Sequence, residues 1–182
     1  MFPVILSPML IVFGGLPGGG KTTLARVVAE ARAAVYLRID AIEQALRDAG
    51  IPDAEIGPGG YMAAMAVAEA NLRLGRLVVA DAANLLEVAR EGWRAVAAAT
   101  GVTLVEIEIQ CTDPTEHRRR VETRASDISG LVQPTWPQVL ARERDPWTRP
   151  HVVLDTAGRD WTQSLADAQA AIDAAMRGGV RS

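Results

Sequence analysis

Residues 15–22 read Gly-Leu-Pro-Gly-Gly-Gly-Lys-Thr, directly after the apolar run Met9-Leu10-Ile11-Val12-Phe13 and at the head of a helical pattern starting at Lys21. The order of buried strand, glycine turn and helix leaves few folds open. Gly15, Gly20, Lys21 and Thr22 meet the spacing G-x-x-x-x-G-K-[ST] at every required position. Glycines there let backbone N–H groups turn inward around an anion, and the helix start adds the positive end of its dipole. A lysine at this point reaches the β- and γ-phosphates as a point charge, and the next hydroxyl serves Mg²⁺. Pro17, Gly18, Gly19 and Thr23 complete the candidate nucleotide cradle. Lysine occurs nowhere else; the other basic residues, of 19 in all, are arginines.

The rest of the chain alternates strand and helix signals. The patterns predict a helix over 21–32, a strand over 35–39, a helix over 40–49 and a Pro- and Gly-rich loop over 50–60. An Ala-rich helix over 61–74 should stop at Gly75, followed by a buried strand over 77–81. Spacing predicts a helix through Leu85, Ala89, Trp93, Val96 and Thr100, and a strand over 102–109. Asp113-Pro114 should open a basic helix reaching about Arg124. A short strand at 152–154 and an amphipathic helix through Trp161, Leu165, Ala168, Ile172 and Ala175 close the pattern. Strands separated by helices imply a parallel sheet covered on both faces, an α/β fold in a three-layer α/β/α sandwich. No repeat or low-complexity block divides the chain, so one domain is expected over 1–182, with 1–8 as an extension and Met9 as an alternative start.

Composition narrows the function classes. The chain has 182 residues and a net charge of −3, so no broad attraction to nucleic acid or anionic lipid is expected. One cysteine, Cys111, excludes an internal disulfide framework, and two histidines, His117 and His151, make a His-rich metal site a poor expectation. The apolar N-terminus contains Pro3 and Pro8 and carries no positive flank, so no export signal or membrane span is read there and the cytoplasm is the expected compartment. Cys111 is expected to be a small buried residue, Met62 and Met65 helix packing, and Trp93 and Trp161 core.

The acids and arginines suggest chemistry. A guanine-reading Asn/Thr-Lys-x-Asp sequence cannot exist without a second lysine. Asp81 ends an apolar strand, where a carboxylate holds Mg²⁺, and the next residue is Ala82 rather than a water-activating Glu. Asp40 ends the second strand, facing the crevice at the carboxyl ends of a parallel sheet; it suits a general base for an acceptor hydroxyl or a helix N-cap. Arg120 and Arg124 are i and i+4 on one helix face, before a loop at 125–132. That places two guanidinium groups on a candidate lid over about 113–132, where they would meet a developing phosphoryl charge. Arg118 and Arg119 read as solvated partners of Glu116 and Glu122.

These segments together resemble the small P-loop kinases grouped as the AAA_33 family, relatives of the polynucleotide kinase domain, chloramphenicol phosphotransferase and zeta toxins. The likeness is carried by residues 15–23, Arg38-Ile39-Asp40, residues 78–84, the 115–124 helix, Pro134-Thr135-Trp136 and Leu154-Asp155-Thr156-Ala157. It implies ATP and Mg²⁺ as cofactors, Lys21, Asp40, Arg120 and Arg124 as catalytic groups, Thr22 and Asp81 at the metal, and a 155–158 turn with Asp155 and Thr156 near the adenine. The acceptor pocket would lie between Asp40, the 61–74 helix and the Asn84 loop, with Arg38, Tyr61 and Asn84 as contacts and Asn71 and Arg73 as further candidates. Trp136 and Trp147 either border the nucleotide or pack. Polynucleotide kinases carry an Arg three residues after the catalytic Asp; here Glu43 stands there and would repel a phosphate. The expected acceptor is therefore a small hydroxylated molecule such as a nucleoside, sugar or antibiotic. The alternatives are a polynucleotide 5′-hydroxyl kinase and a non-enzymatic ATP-binding switch. Oligomeric state has no signal in the sequence.

Overall fold

A computed structural model of the protein describes residues 8–178; the extension expected at 1–8 lies, except for Pro8, outside the described residues. Five parallel strands form the sheet: β1 (Met9–Gly14), β2 (Val35–Arg38), β3 (Val78–Asp81), β4 (Thr103–Gln110) and β5 (Val152–Asp155), in the order β2-β3-β1-β4-β5. The helices are α1 (Lys21–Ala31), α2 (Ile39–Asp48), α3 (Asp53–Ile56), α4 (Gly59–Arg73), α5 (Glu87–Thr100), α6 (Pro114–Thr123), α7 (Trp136–Leu140) and α8 (Trp161–Gly178). This is the expected three-layer sandwich. Among the described residues, no helix is long and apolar enough to cross a membrane.

The alternation of side chains along β1 explains the layers. Every residue of β1 is buried. Met9, Ile11 and Phe13 join Leu24, Ala25 and Val28 of α1 and Ala168 and Ile172 of α8 in one core. Leu10 and Val12 point the other way, against Ala64, Ala68 and Leu72 of α4 and Trp93 and Val96 of α5. A strand buried on both faces must be apolar throughout, as this one is. Because β1 lies between β3 and β4, chain connections leave it in opposite directions, opening a crevice at the carboxyl ends of the strands.

The differences from sequence expectation are local. The predicted 50–60 loop contains α3, and α4 starts two residues early at Gly59. Gly60 permits this, because a Cβ there would lie 2.6 Å from Glu43 Cγ. Helix α7 was unanticipated, although Thr135 and Gln138 form a capping box in which the Thr135 N–H donates to Gln138 Oε1 at 2.8 Å. Met62 is 66% exposed and does not pack, whereas Met65 does. Cys111 is only partly buried. Trp93 is fully buried as expected, but Trp161 is 52% exposed.

Candidate active site

Strand β1 delivers the chain into the glycine loop, and neighbours on three sides fix its shape. Gly15 has φ +130°, and a Cβ on it would sit 2.1 Å from the Ile109 carbonyl oxygen, so only glycine fits between β1 and β4. The Gly15 N–H donates to Ala83 O at 2.8 Å. The ring Nε2 of His117 lies 2.8 Å from Pro17 O. Thr156 Oγ1 is 2.8 Å from Gly19 O and 3.0 Å from Gln110 O. Gly18 and Gly20, at φ +85° and +101°, complete the turn into α1. These protein contacts fix the backbone of the cradle.

Lys21, at the first position of α1, is buried. Burial pulls its ammonium below the ordinary range, the Asp81 and Asp40 carboxylates oppose that pull, and Arg124 and Arg142 reinforce it. Asp81 is itself buried at the end of β3. Its Oδ2 accepts a 2.8 Å bond from the Tyr36 hydroxyl and lies 3.8 Å from Arg38 Nε. Burial and the adjacent Asp81 charge drive the Tyr36 hydroxyl far above its usual pKa, so it stays a donor. Asp81 Oδ1 is buried with no hydrogen-bond partner among the described residues. A carboxylate oxygen stripped of water calls for a cation or donor, and with the Thr22 hydroxyl on the cavity wall it suits Mg²⁺, which uses one or two protein oxygens beside phosphates and waters.

A cavity of about 520 Å³ opens over the loop, lined among others by Lys21, Thr22, Thr23, Arg38, Arg120 and Arg124. Asp40 sits in the first turn of α2 with half of its side chain exposed, 4.0 Å from Arg38 Nε. Arg38 Nη1 also donates to both carboxylate oxygens of Asp127, at 2.8 and 2.9 Å, which ties the loop after α6 to the end of β2. The two arginines of α6 differ. Arg120 donates to Thr156 Oγ1 at 2.7 Å, to Thr156 O at 2.9 Å and to Glu116 at 2.7 Å. Arg124 Nε is buried with no hydrogen-bond partner among the described residues, and burial lowers the group's pKa. The Asp40 and Asp127 carboxylates oppose that pull, and Arg142 and Arg38 reinforce it.

Several expected contacts are placed elsewhere. Asn84, expected at the acceptor, has φ +50° and is buried. Its Nδ2 donates to Phe13 O at 2.9 Å and its Oδ1 accepts from Trp93 Nε1 at 3.0 Å, so its amide is spent on the fold. Asn84→Ala leaves two buried groups unpaired and is expected to cost about 2–4 kcal/mol, lowering the Tm by roughly 5–15 °C in a melt followed by circular dichroism. Tyr61 stays near the site: its hydroxyl accepts the Asn84 N–H at 3.1 Å, and burial raises its pKa. Asn71 and Arg73 do not reach the site; Asn71 bonds Val67 O and Arg76, and Arg73 pairs with Glu69. Asp155 does not line the cavity but accepts bonds from Thr112 and the Ala157 N–H, whereas Thr156 does line it. Trp147 packs between Arg90, 4.5 Å away, and His151, 4.2 Å away. Trp136 meets His117 edge-on.

Sequence reasoning missed Arg142, whose charge acts on Lys21, Arg124, Tyr61 and Glu43. It lies in the run Arg-Glu-Arg-Asp, which reads as a solvated turn and carries no periodic signal. Tyr36 and Asp127 were missed as well. Glu43 is half-buried, and burial and the Asp40 charge raise its pKa against the pull of Arg47, 3.5 Å away. A raised carboxyl pKa contributes stability that is present below the unfolded pKa and lost as pH climbs through the folded one. Glu43→Gln is thus expected to melt above the wild type at pH 7, with the gap closing below about pH 4; thermal melts across that range measure it.

Residues 10–145 match the AAA_33 family of AAA domains. The chain is 32% identical over 161 residues to the uncharacterized protein Rv2004c of Mycobacterium tuberculosis, covering 82% of this chain and 32% of that protein. The match to the uncharacterized protein Mb2027c of Mycobacterium bovis has the same figures. The chain thus spans about a third of the length of the curated relatives it matches. Among solved structures, a gluconokinase from Sinorhizobium meliloti 1021 superposes with a TM-score of 0.64 at 20% identity, covering 94% of this chain and 95% of that one. The APS kinase CysC of Mycobacterium tuberculosis, solved with AMPPNP and APS, gives 0.64 at 22% identity over 92% and 96%. Kti12 of Chaetomium thermophilum, solved with ADP-AlF3, gives 0.61 at 22% identity over 90% and 98%. At such identities the likeness shows the fold, which is that of small P-loop kinases. With three quarters of its length matched by one family, the chain belongs to AAA_33.

Proposed function

We propose that this protein is an ATP-dependent kinase that moves the γ-phosphoryl group of ATP to a hydroxyl of a small molecule. The observation that carries the reading is the glycine loop itself, wedged by Gly15 against Ile109, held by Thr156 and His117, and ending in the buried Lys21 at the start of α1. In that reading the loop N–H groups and Lys21 hold the β- and γ-phosphates, Thr22 and Asp81 hold Mg²⁺, and residues 113–132 act as the lid. The metal, when bound, spreads the negative charge of the phosphates. Asp40 accepts the acceptor's hydroxyl proton as that oxygen bonds to the γ-phosphorus. The bond from phosphorus to the β,γ-bridging oxygen breaks, and ADP leaves with the electron pair. Arg124, whose Nε has no hydrogen-bond partner among the described residues, pairs with the transferring group, and Arg120 fixes the lid helix to the β5 turn. The CysC and Kti12 structures with ATP-site ligands support nucleotide binding by such a cradle.

The acceptor is read as uncharged near its reacting hydroxyl. Glu43, three residues after Asp40 on α2, puts a second carboxylate beside the base, and ionising it there is already disfavoured. A phosphate at that position would worsen the repulsion. The test is transfer from γ-labelled Mg-ATP to a mixed panel of nucleosides, sugars, hydroxylated antibiotics and a 5′-hydroxyl oligonucleotide. Label in a small neutral molecule is the expected result. Label in the oligonucleotide would overturn the acceptor class, and ATP binding with no transfer across a broad panel would favour a nucleotide-ordered switch over a kinase.

A further inference from the structure

Helix α8 packs on the sheet through Ala168 and Ile172, with Leu165 beside them. Its first turn does something else. Trp161, placed by its spacing to be core, instead borders the loop cavity together with Thr23, Arg120, Thr156 and Arg159. Ser164, one helical turn on and on the same face, borders that cavity too. It is only 1% exposed, and its hydroxyl has no hydrogen-bond partner among the described residues. A tryptophan left half in water and a buried hydroxyl left unpaired each cost stability, and the packing of α8 requires neither. Both costs are recovered if a planar, polar-edged ligand enters the cavity. The same cavity contains Lys21 and Thr22 of the phosphate loop, so a ligand of phosphates joined to a heterocycle matches its two kinds of wall.

We infer that Trp161 is the base platform of the nucleotide site: its indole covers one face of the adenine ring, while Ser164 Oγ hydrogen-bonds the ring edge. This inference rests on reading the cavity as the ATP site. Stacking of this kind is tolerant of base identity, since every base has a π-face. The platform therefore separates a nucleotide from a bare phosphate chain rather than adenine from guanine. Its position on a sheet-packed helix, not on the lid, means that the base is received before the lid closes.

The experiment compares calorimetric binding of Mg-AMPPNP and of inorganic tripolyphosphate to the full chain and to Trp161→Ala, Trp161→Phe and Ser164→Ala. Trp161→Ala should weaken the nucleotide analogue about 10-fold and leave tripolyphosphate unchanged. Trp161→Phe should restore the analogue to within about threefold while removing the fluorescence quench that the analogue produces in the wild type. Ser164→Ala should weaken the analogue about threefold. An equal loss for analogue and tripolyphosphate would mark Trp161 as structural and overturn the inference. So would unchanged analogue binding in Trp161→Ala, with the nucleotide site itself left standing. A wild type that binds tripolyphosphate but no nucleotide would overturn the ATP reading as well.

Discussion

Asp40→Asn is expected to reduce kcat by about 10²- to 10⁴-fold while leaving the Kd for Mg-ATP within about twofold. The amide keeps the size and planarity of the carboxylate but cannot accept the acceptor's proton. The loop backbone does not depend on it, being held by Ala83, Thr156 and His117; the Asp40 charge acts on Lys21 only behind burial and Asp81, and Asp40 sits on α2, partly exposed, 4.0 Å from Arg38 Nε. Single-turnover transfer to the acceptor found in the panel, set beside calorimetry with a non-hydrolysable analogue, separates chemistry from binding. A variant that turns over at the wild-type rate would remove Asp40 from the base role; the N-cap alternative is already excluded, because α2 begins at Ile39 with Arg38 at its N-cap and no side chain bonds there.

Lys21→Met should have the opposite signature in binding and an unexpected one in stability. Removing the only ammonium at the phosphates is expected to lower kcat by roughly 10²- to 10³-fold and to weaken nucleotide binding as well. The free protein, however, should melt at a higher temperature than the wild type near pH 7. Burial pulls the Lys21 pKa down. A group whose folded pKa is depressed contributes stability above its unfolded pKa and loses it as pH falls through the folded one, so below about pH 10 the charged lysine is a burden to the free fold. Methionine has similar length and no charge to desolvate. The stability gap should narrow as pH approaches 10, which melts at several pH values measure. A variant that is less stable at neutral pH would mean that the Asp81 and Asp40 charges outweigh desolvation.

The two substitutions also show what the sequence could and could not reveal. The phosphate loop and β1 were legible because their constraints are local: glycine at defined offsets, an apolar run before them, a lysine and a threonine after. Layers and strand direction followed from periodicity, since β1 with both faces covered must be apolar throughout. The strand order had no local signal. At the site, Asp81 and Asp40 could be placed because strand ends in a parallel sheet share one crevice. Asn84 could not be read correctly, because its partners Phe13 O and Trp93 Nε1 lie 71 and 9 residues away. Nor could Arg142, whose charge acts on Lys21 and Arg124 from a segment far along the chain. Trp161 misled for a related reason: its spacing matches the buried stripe of α8, but α8 begins where the sheet ends, and no layer remains there to cover the ring.

One hydroxyl joins the phosphate loop to the helix beside it. Thr156 Oγ1 has a single proton and two carbonyl oxygens within reach, Gly19 O in the phosphate loop and Gln110 O at the end of β4, while its own oxygen accepts from Arg120. The hydroxyl can therefore serve only one carbonyl at an instant, and the choice is a rotation about one bond. When Arg120 donates, it polarises the hydroxyl and strengthens whichever bond the proton makes. The same helix, α6, also holds the loop directly, with His117 Nε2 2.8 Å from Pro17 O. In the kinase reading proposed above, a movement of α6 would reach the loop by both routes, so that the lid and the phosphate cradle would change shape together.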